Sequence, residues 1–117
     1  LKSVHQYILP FIAPKGDGRP LVISEFGGYS RIIENHVWNR QKSFGYVMYK
    51  TKETLTAAYK KLFEKQIIPS IAKGLSATVY TQVSDVEFEV NGIFTYDREL
   101  LKIDGDTIRE INSKLTY

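Results

Sequence analysis

The chain contains no cysteine among its 117 residues. This absence excludes disulfide bonds, thiolate metal sites and cysteine nucleophiles. It leaves the cellular compartment open, because reducing and oxidising environments both tolerate such a sequence. The sequence also lacks any run approaching the ~18 apolar residues of a membrane-spanning helix. We therefore expect no membrane partner.

Clustered charge is equally scarce. The formal net charge is +3, and the lysines and arginines are spread along the chain with no run longer than two. Proteins that bind nucleic acid concentrate such residues on one face, so we expect no nucleic-acid partner. The acidic residues Asp85, Glu87 and Glu89 are interpreted as a solvated loop, and His36 is too isolated to count as a metal ligand. No Gly-rich phosphate motif follows a strand. We therefore expect neither a metal nor a cofactor.

Strand-like and helix-like patterns alternate along the sequence. A short apolar run, LVI, is typical of a strand buried on both faces of a parallel sheet. A longer segment repeats apolar residues at helical spacing behind the plausible N-cap Thr51, with Pro69 expected to kink or end it and Gly74 to stop it. Strands are predicted at residues 21–23 and 75–83, a strand or extended loop at 4–8, and helices at 51–73 and from Asp104 or Asp106 to about 115. This order predicts an α/β fold with a parallel sheet.

Glu25 is the residue with the sharpest chemical signal. It directly follows the predicted strand at residues 21–23, and parallel α/β barrels place catalytic groups at the carboxyl ends of strands. Gly27 and Gly28 behind it would let a substrate or another backbone approach closely. The alternative is a strand-end glutamate that faces solvent or pairs with Arg31. Position alone leaves both interpretations open.

Three further residues are candidates for the same site. The phenol of Tyr7 could hydrogen-bond a catalytic carboxylate, and His5 points to the same side if this segment is extended. Tyr80, near the end of the later strand, is either a platform for a sugar ring or a core residue. Taken singly, all three also fit ordinary packing.

Three segments in order resemble glycoside hydrolase family 2, the β-galactosidase and β-glucuronidase family. They are residues 19–29, RPLVISEFGGY, which resemble the nucleophile strand; residues 67–87, which resemble the last helix-to-strand passage; and residues 91–98, NGIFTYDR, which resemble the exit from the barrel. The resemblance implies that residues 1–117 are the C-terminal part of a catalytic (β/α)8 TIM barrel, about strands six to eight with their helices. The first residue is not Met, and we expect the numbering to start inside a longer protein.

The resemblance also implies a retaining mechanism and a role for each candidate residue. Glu25 would be the nucleophile, and Tyr7 would be the tyrosine that hydrogen-bonds it. His5 would contact the sugar, and Tyr80 would take the place of a tryptophan that serves as a sugar platform in relatives. The carbohydrate substrate is left unspecified, because the loops that select a sugar are largely absent.

One departure from the family is large. Retaining hydrolysis needs a second carboxyl group about 5 Å from the nucleophile. In this family that glutamate follows an asparagine, and the sequence contains no Asn-Glu dipeptide. We therefore expect this chain to be inactive alone, and to self-associate by aligning its open strand edge or its apolar face with a second copy. The alternatives are a non-catalytic carbohydrate-binding or interaction module derived from a barrel, and a small independent α/β domain in which Glu25 is structural.

Overall fold

The computed structural model describes residues 1–8, 10–12 and 14–117. The strands are β1 (Lys2–Gln6), β2 (Leu21–Gly27), β3 (Tyr29–Ser30), β4 (Val47–Met48) and β5 (Leu75–Thr81), and the helices are α1 (Lys52–Leu62), α2 (Ile68–Ile71) and α3 (Gly105–Asn112). β1, β2 and β5 form a parallel sheet in the order β1-β2-β5, and β3 and β4 pair separately. The predicted parallel pairing of β2 with β5, with a helix between them in the chain, is confirmed.

The helix between β2 and β5 begins where the sequence predicts. Thr51 is the N-cap, and its hydroxyl oxygen accepts a hydrogen bond from the Thr54 amide at 3.1 Å, while the Thr54 hydroxyl accepts one from the Thr51 amide. A π-helical turn, Phe63–Ile67, then separates α1 from α2. Pro69 lies in α2, and because it has no amide hydrogen the regular α pattern cannot continue unbroken through it. The irregularity expected at Pro69 thus starts earlier, at Phe63.

The hydrophobic core lies between the sheet and this helix. Phe26 of β2 meets the ring of Phe63 edge-on at 5.3 Å and that of Tyr80 at 5.5 Å. The buried apolar residues of the core are Leu21, Ile23, Phe26, Leu55, Tyr59, Leu62, Phe63, Ile67, Leu75, Ile103 and Ile111. Burying each such side chain contributes about 1.5–3 kcal/mol before entropy is counted. The core therefore covers one face of the sheet, the face towards α1.

A one-residue bulge in β2 decides which face Glu25 occupies. Val4 of β1 pairs with Ile23, but His5 pairs with Glu25, so no residue of β1 is paired with Ser24 in the strand register. Ile23 and Phe26 are both buried in the core although they are three residues apart, whereas strict alternation would place them on opposite faces. Glu25 therefore faces away from the core, on the same side as His5. Bulges often re-aim a side chain in this way.

The expectation of a partial (β/α)8 barrel, strands six to eight with their helices, is wrong. A barrel of this kind follows each strand with a helix. Among the described residues, no helix lies between β1 and β2. Apart from a three-residue 3-10 helix at Arg40–Lys42, the helical segments are the irregular one from Lys52 to Ile71 and α3. The helix content is too low and the sheet too small for that architecture. The fold is a small α/β unit with three parallel strands.

β2 is also covered less than its apolar run predicts. Val22 is only half-buried, and Val79 of β5 is exposed, so the face opposite α1 is not packed as the core face is. The short LVI run predicted a strand buried on both faces; the structure buries one. β2 is also longer than predicted and runs to Gly27, so Glu25 lies within the strand rather than after it. In the described part of the chain, no helix is long and apolar enough to cross a membrane.

Candidate functional site

Glu25, Tyr7 and His5 meet at the carboxyl end of the parallel sheet. The Tyr7 hydroxyl donates a hydrogen bond of 2.5 Å to Oε2 of Glu25. Nδ1 of His5 lies 3.4 Å from the same oxygen. All three side chains remain partly exposed, so they line a surface that a ligand can reach. The structure thus brings together three of the four residues that the sequence singles out.

The proton of the Tyr7 phenol is held firmly. Partial burial and the adjacent Glu25 carboxylate raise the pKa of Tyr7 from 10 to about 12, while a hydrogen bond with Thr81 acts in the opposite direction. At neutral pH, Tyr7 is therefore a donor to Glu25. Both Tyr7 and His5 approach Oε2, and no hydrogen bond or ion pair among the described residues involves Oε1. An incoming group would meet the carboxylate at Oε1.

An aromatic stack supports this pair. The ring of Tyr46 lies on the ring of Tyr7, with centroids 4.0 Å apart and planes within 5° of parallel. Phe44 meets Tyr46 at a centroid distance of 5.3 Å and an angle of 69°. Gly28 lies against the stack: a Cβ atom there would come within 2.5 Å of the Tyr46 ring and 2.9 Å of the Tyr7 ring. The space near Gly28 is therefore filled by these rings rather than left for a substrate.

Tyr80, the fourth candidate, lies on the core side of the sheet. Its ring contacts Phe26, Tyr59 and Phe63, and burial raises its pKa well above the ordinary value. A Cβ atom at Gly27 would lie 2.3 Å from the Tyr80 ring, so glycine is required there for this packing. The contacts do not join Tyr80 to the Glu25 group. Thr81, the next residue of β5, is the one that reaches Tyr7.

His36 has partners that its sequence neighbourhood conceals. Its Nδ1 lies 2.8 Å from Oδ2 of Asp97 and 3.8 Å from Oε2 of Glu99. Among the described residues, these three form the one group of potential metal ligands with all ligand atoms within 4.8 Å. Asp97 is also held by the Thr95 hydroxyl and the Glu99 amide, and these contacts lower its pKa to about 2. These contacts join the loop that contains His36 to the loop that contains Asp97 and Glu99, and this structural role accounts for the three side chains lying together.

Asp85 contradicts the interpretation of its loop as solvated. Its Oδ1 accepts hydrogen bonds from Nζ of Lys102 at 2.6 Å and from the Gly92 amide at 2.7 Å, and both charged side chains are buried. Lys102 also donates to the carbonyl oxygens of Arg31 and Val90, each at 2.9 Å. Burial raises the pKa of Asp85 and lowers that of Lys102. This ion pair joins the segment after β3 to the segment after β5.

Sequence reasoning missed Tyr46 and Thr81. Tyr46 lies in a segment recognised only as rich in aromatic residues, and nothing in its spacing ties it to Tyr7. Thr81 had a usable signal, because strand alternation places residues 79 and 81 on the face opposite Tyr80. Applying that alternation to β5 would have put Thr81, rather than Tyr80, beside Tyr7.

Comparisons of the sequence with protein-family models and with curated proteins gave no match. The resemblance to glycoside hydrolase family 2 therefore stays a prediction. What the site itself offers is a partly exposed carboxylate with one oxygen held by a neutral phenol, an imidazole beside it, and exposed aromatic rings next to them.

Proposed function

We propose that this chain carries the nucleophile part of a retaining β-glycosidase site, with Glu25 as the nucleophile, Tyr7 as its hydrogen-bond donor and His5 as a sugar-contacting residue. The 2.5 Å hydrogen bond from Tyr7 to Glu25, across the carboxyl ends of two parallel strands, is the observation that carries the proposal. The three resembling sequence segments support it independently.

The chemistry assigns one oxygen to each task. Tyr7 fixes Oε2, and Oε1 attacks the anomeric carbon, forming a glycosyl ester while the leaving oxygen departs with the electrons of the broken bond. Water later hydrolyses the ester and restores the carboxylate. Neutral Tyr7 orients Glu25 without removing its charge, which the attack requires.

The second carboxyl group does not come from the partners of Glu25, which are a phenol and an imidazole. Retaining enzymes place that acid/base about 5–5.5 Å from the nucleophile, where it protonates the leaving group. Under this proposal another polypeptide segment supplies it, and the chain alone turns over no substrate whose leaving group needs protonation.

A mechanism-based label tests the nucleophile without needing the acid/base. Dinitrophenyl 2-deoxy-2-fluoro-β-glycosides carry a leaving group that departs unprotonated, and the fluorine slows hydrolysis of the ester. We expect one glycosyl adduct, located on Glu25 by peptide mass spectrometry and lost in Glu25→Gln. Glu89→Gln is the matched control and should label normally. Labelling that persists in Glu25→Gln, or no labelling at millimolar reagent, would contradict the proposal.

The exposed aromatic rings beside Glu25 favour a second candidate, a non-catalytic carbohydrate-binding module. The same samples discriminate the two functions. Saturable binding of a glycoside without any adduct on Glu25 would support the binding module. Turnover of a nitrophenyl glycoside that disappears in Glu25→Gln would instead place the acid/base within this chain.

A further inference from the structure

Phe44 and Tyr46 form an exposed aromatic corner beside the Glu25 group. They retain 49% and 41% of their accessible surface, and their rings meet at 69° with centroids 5.3 Å apart. Tyr46 also stacks on Tyr7, whose hydroxyl binds Glu25. Two large rings therefore remain partly exposed to solvent, one in contact with Tyr7 and the other in contact with the first.

The corner is held rigidly by backbone contacts. The Phe44 amide donates to the Phe88 carbonyl at 2.7 Å, and the Phe44 carbonyl accepts from the Val90 amide at 2.8 Å. Gly45, which lies between the two residues in sequence, packs closely against Ser30. A Cβ atom added at Gly45 would lie 1.9 Å from the Ser30 hydroxyl oxygen. A backbone fixed in advance loses little conformational freedom when a ligand binds.

The surroundings of the corner select the chemistry of its ligand. Tyr46 stacks on Tyr7, whose hydroxyl binds the carboxylate that His5 also approaches. An apolar partner that extended from Tyr46 across Tyr7 would cover these polar groups, and burying them without partners is costly. A pyranoside avoids this cost, because its C–H face packs on aromatic rings while its hydroxyl groups hydrogen-bond to a carboxylate and an imidazole. Binding sites of this kind combine aromatic walls with a few polar groups.

We propose that Phe44 and Tyr46 form the aromatic wall of the subsite that binds the pyranoside ring in front of Glu25. The assignment of that ring to the reacting glycoside rests on the proposed function. The wall adds a binding role for two residues that the family resemblance does not assign.

Binding measured without turnover tests the wall. Methyl β-D-galactopyranoside and methyl β-D-glucuronide are titrated into 15N-labelled protein and followed by amide chemical shifts, with sorbitol as an open-chain polyol control. We expect Phe44→Ala and Tyr46→Leu to weaken binding of at least one pyranoside by about five- to tenfold, since a lost aromatic contact has roughly that effect. Tyr46→Phe keeps the ring and should bind within about twofold of the unaltered chain.

The matched control is Trp38→Ala. Trp38 is 61% exposed, and its ring contact is with Tyr96 rather than with the Tyr7 stack, so its removal should leave pyranoside binding unchanged. Thermal unfolding of each variant checks that Phe44→Ala, which removes no contact of Tyr7, remains folded. Equal weakening by Trp38→Ala and Phe44→Ala would overturn the wall, as would absence of pyranoside binding by the folded, unaltered chain.

The two proposals fail in different ways. Repeating the titration in Glu25→Gln shows whether the loss caused by Phe44→Ala is independent of the carboxylate charge, as the wall requires. Adducts on Glu25 together with unweakened binding by Phe44→Ala and Tyr46→Leu would overturn the wall and leave the nucleophile standing. Pyranoside binding that Phe44→Ala and Tyr46→Leu weaken, with no adduct on Glu25, would overturn the nucleophile and leave the wall standing.

Discussion

Gly28 is the position at which a single methyl group should most disturb the site. Its φ of +66° lies in the left-handed region, and a Cβ atom there would meet Tyr46 at 2.5 Å and Tyr7 at 2.9 Å. For Gly28→Ala, the backbone conformation costs roughly 1–2 kcal/mol, and displacing the packed rings costs about 1–3 kcal/mol. We expect a loss of about 2–5 kcal/mol in the free energy of unfolding, the sum of these two costs.

Gly74→Ala separates the two contributions. Gly74 has a φ of +96°, and nothing lies within 4 Å of a Cβ atom added there. It should therefore lose only the backbone part, roughly 1–2 kcal/mol. At about 4 °C per kcal/mol for a domain near this size, Tm should fall by about 8–20 °C for Gly28→Ala and about 4–8 °C for Gly74→Ala.

Thermal and urea unfolding give the stability difference, and the Tyr7 titration reports on the site. Displacing the Tyr7 ring should break its hydrogen bond to Glu25 and lower the Tyr7 pKa from about 12 towards 10. If Gly28→Ala were no less stable than Gly74→Ala, the rings would not be closely packed on Gly28, and the reasoning from the stack would be refuted.

Three further predictions concern the ion pair, the phenol and the open edge. Lys102→Met should lower the free energy of unfolding by about 3–5 kcal/mol, because it leaves the Asp85 carboxylate buried without its cation. Urea unfolding should show that adding Asp85→Asn recovers much of this loss, and a double variant as unstable as Lys102→Met would contradict the reasoning. Because the folded pKa of Tyr7 is raised, its contribution to stability is present below pH 10 and is lost as the pH rises towards 12; the stability gap between the unaltered chain and Tyr7→Phe should therefore narrow over that range, and a constant gap would argue against the shift. We expect light scattering at micromolar concentration to detect self-association through β5, which lies at the edge of the sheet and has Val79 exposed, and Val79→Lys to weaken it. A monomer at every concentration would count against this contact.

The parts of the fold that local rules govern could be predicted from the sequence. Thr51 caps α1, because its hydroxyl satisfies a free amide of the first turn, and Asp104 caps α3 in the same way. Gly74 adopts the left-handed conformation expected at a helix end. The parallel pairing of β2 with β5 follows from two apolar strands with a helix between them.

The rest depends on contacts between residues far apart in sequence. Asp85 and Lys102 are both charged, and only their meeting in a buried space makes them an ion pair rather than a solvated loop. The Tyr46 stack needs a loop to return to β1, which no periodicity encodes. The barrel failed as a prediction because resembling segments indicate local similarity, whereas a barrel needs a helix after each strand.

The chemical site is only partly accessible to sequence reasoning. The pairing of Tyr7 with Glu25 was expected from the family resemblance, and the structure places the two atoms in contact. The face on which Glu25 lies was not derivable by alternation, since Ile23 and Glu25 would then share the core face. For β5 the opposite holds: residue type favoured Tyr80, whereas alternation along the strand places Thr81 on the face where Tyr7 lies.

The bulge at Ser24 determines how β2 would respond to the loss of one residue. Removing Ser24 would restore strict alternation from Ile23 to Phe26, and Glu25 would then be the single residue between them, still opposite His5 and still facing away from the core. A single codon deletion at this point could therefore leave both the carboxylate and the core side chains in place. The same deletion elsewhere in the strand would turn every side chain beyond it to the other face. The bulge is thus the point in β2 where a change in chain length disturbs the site least.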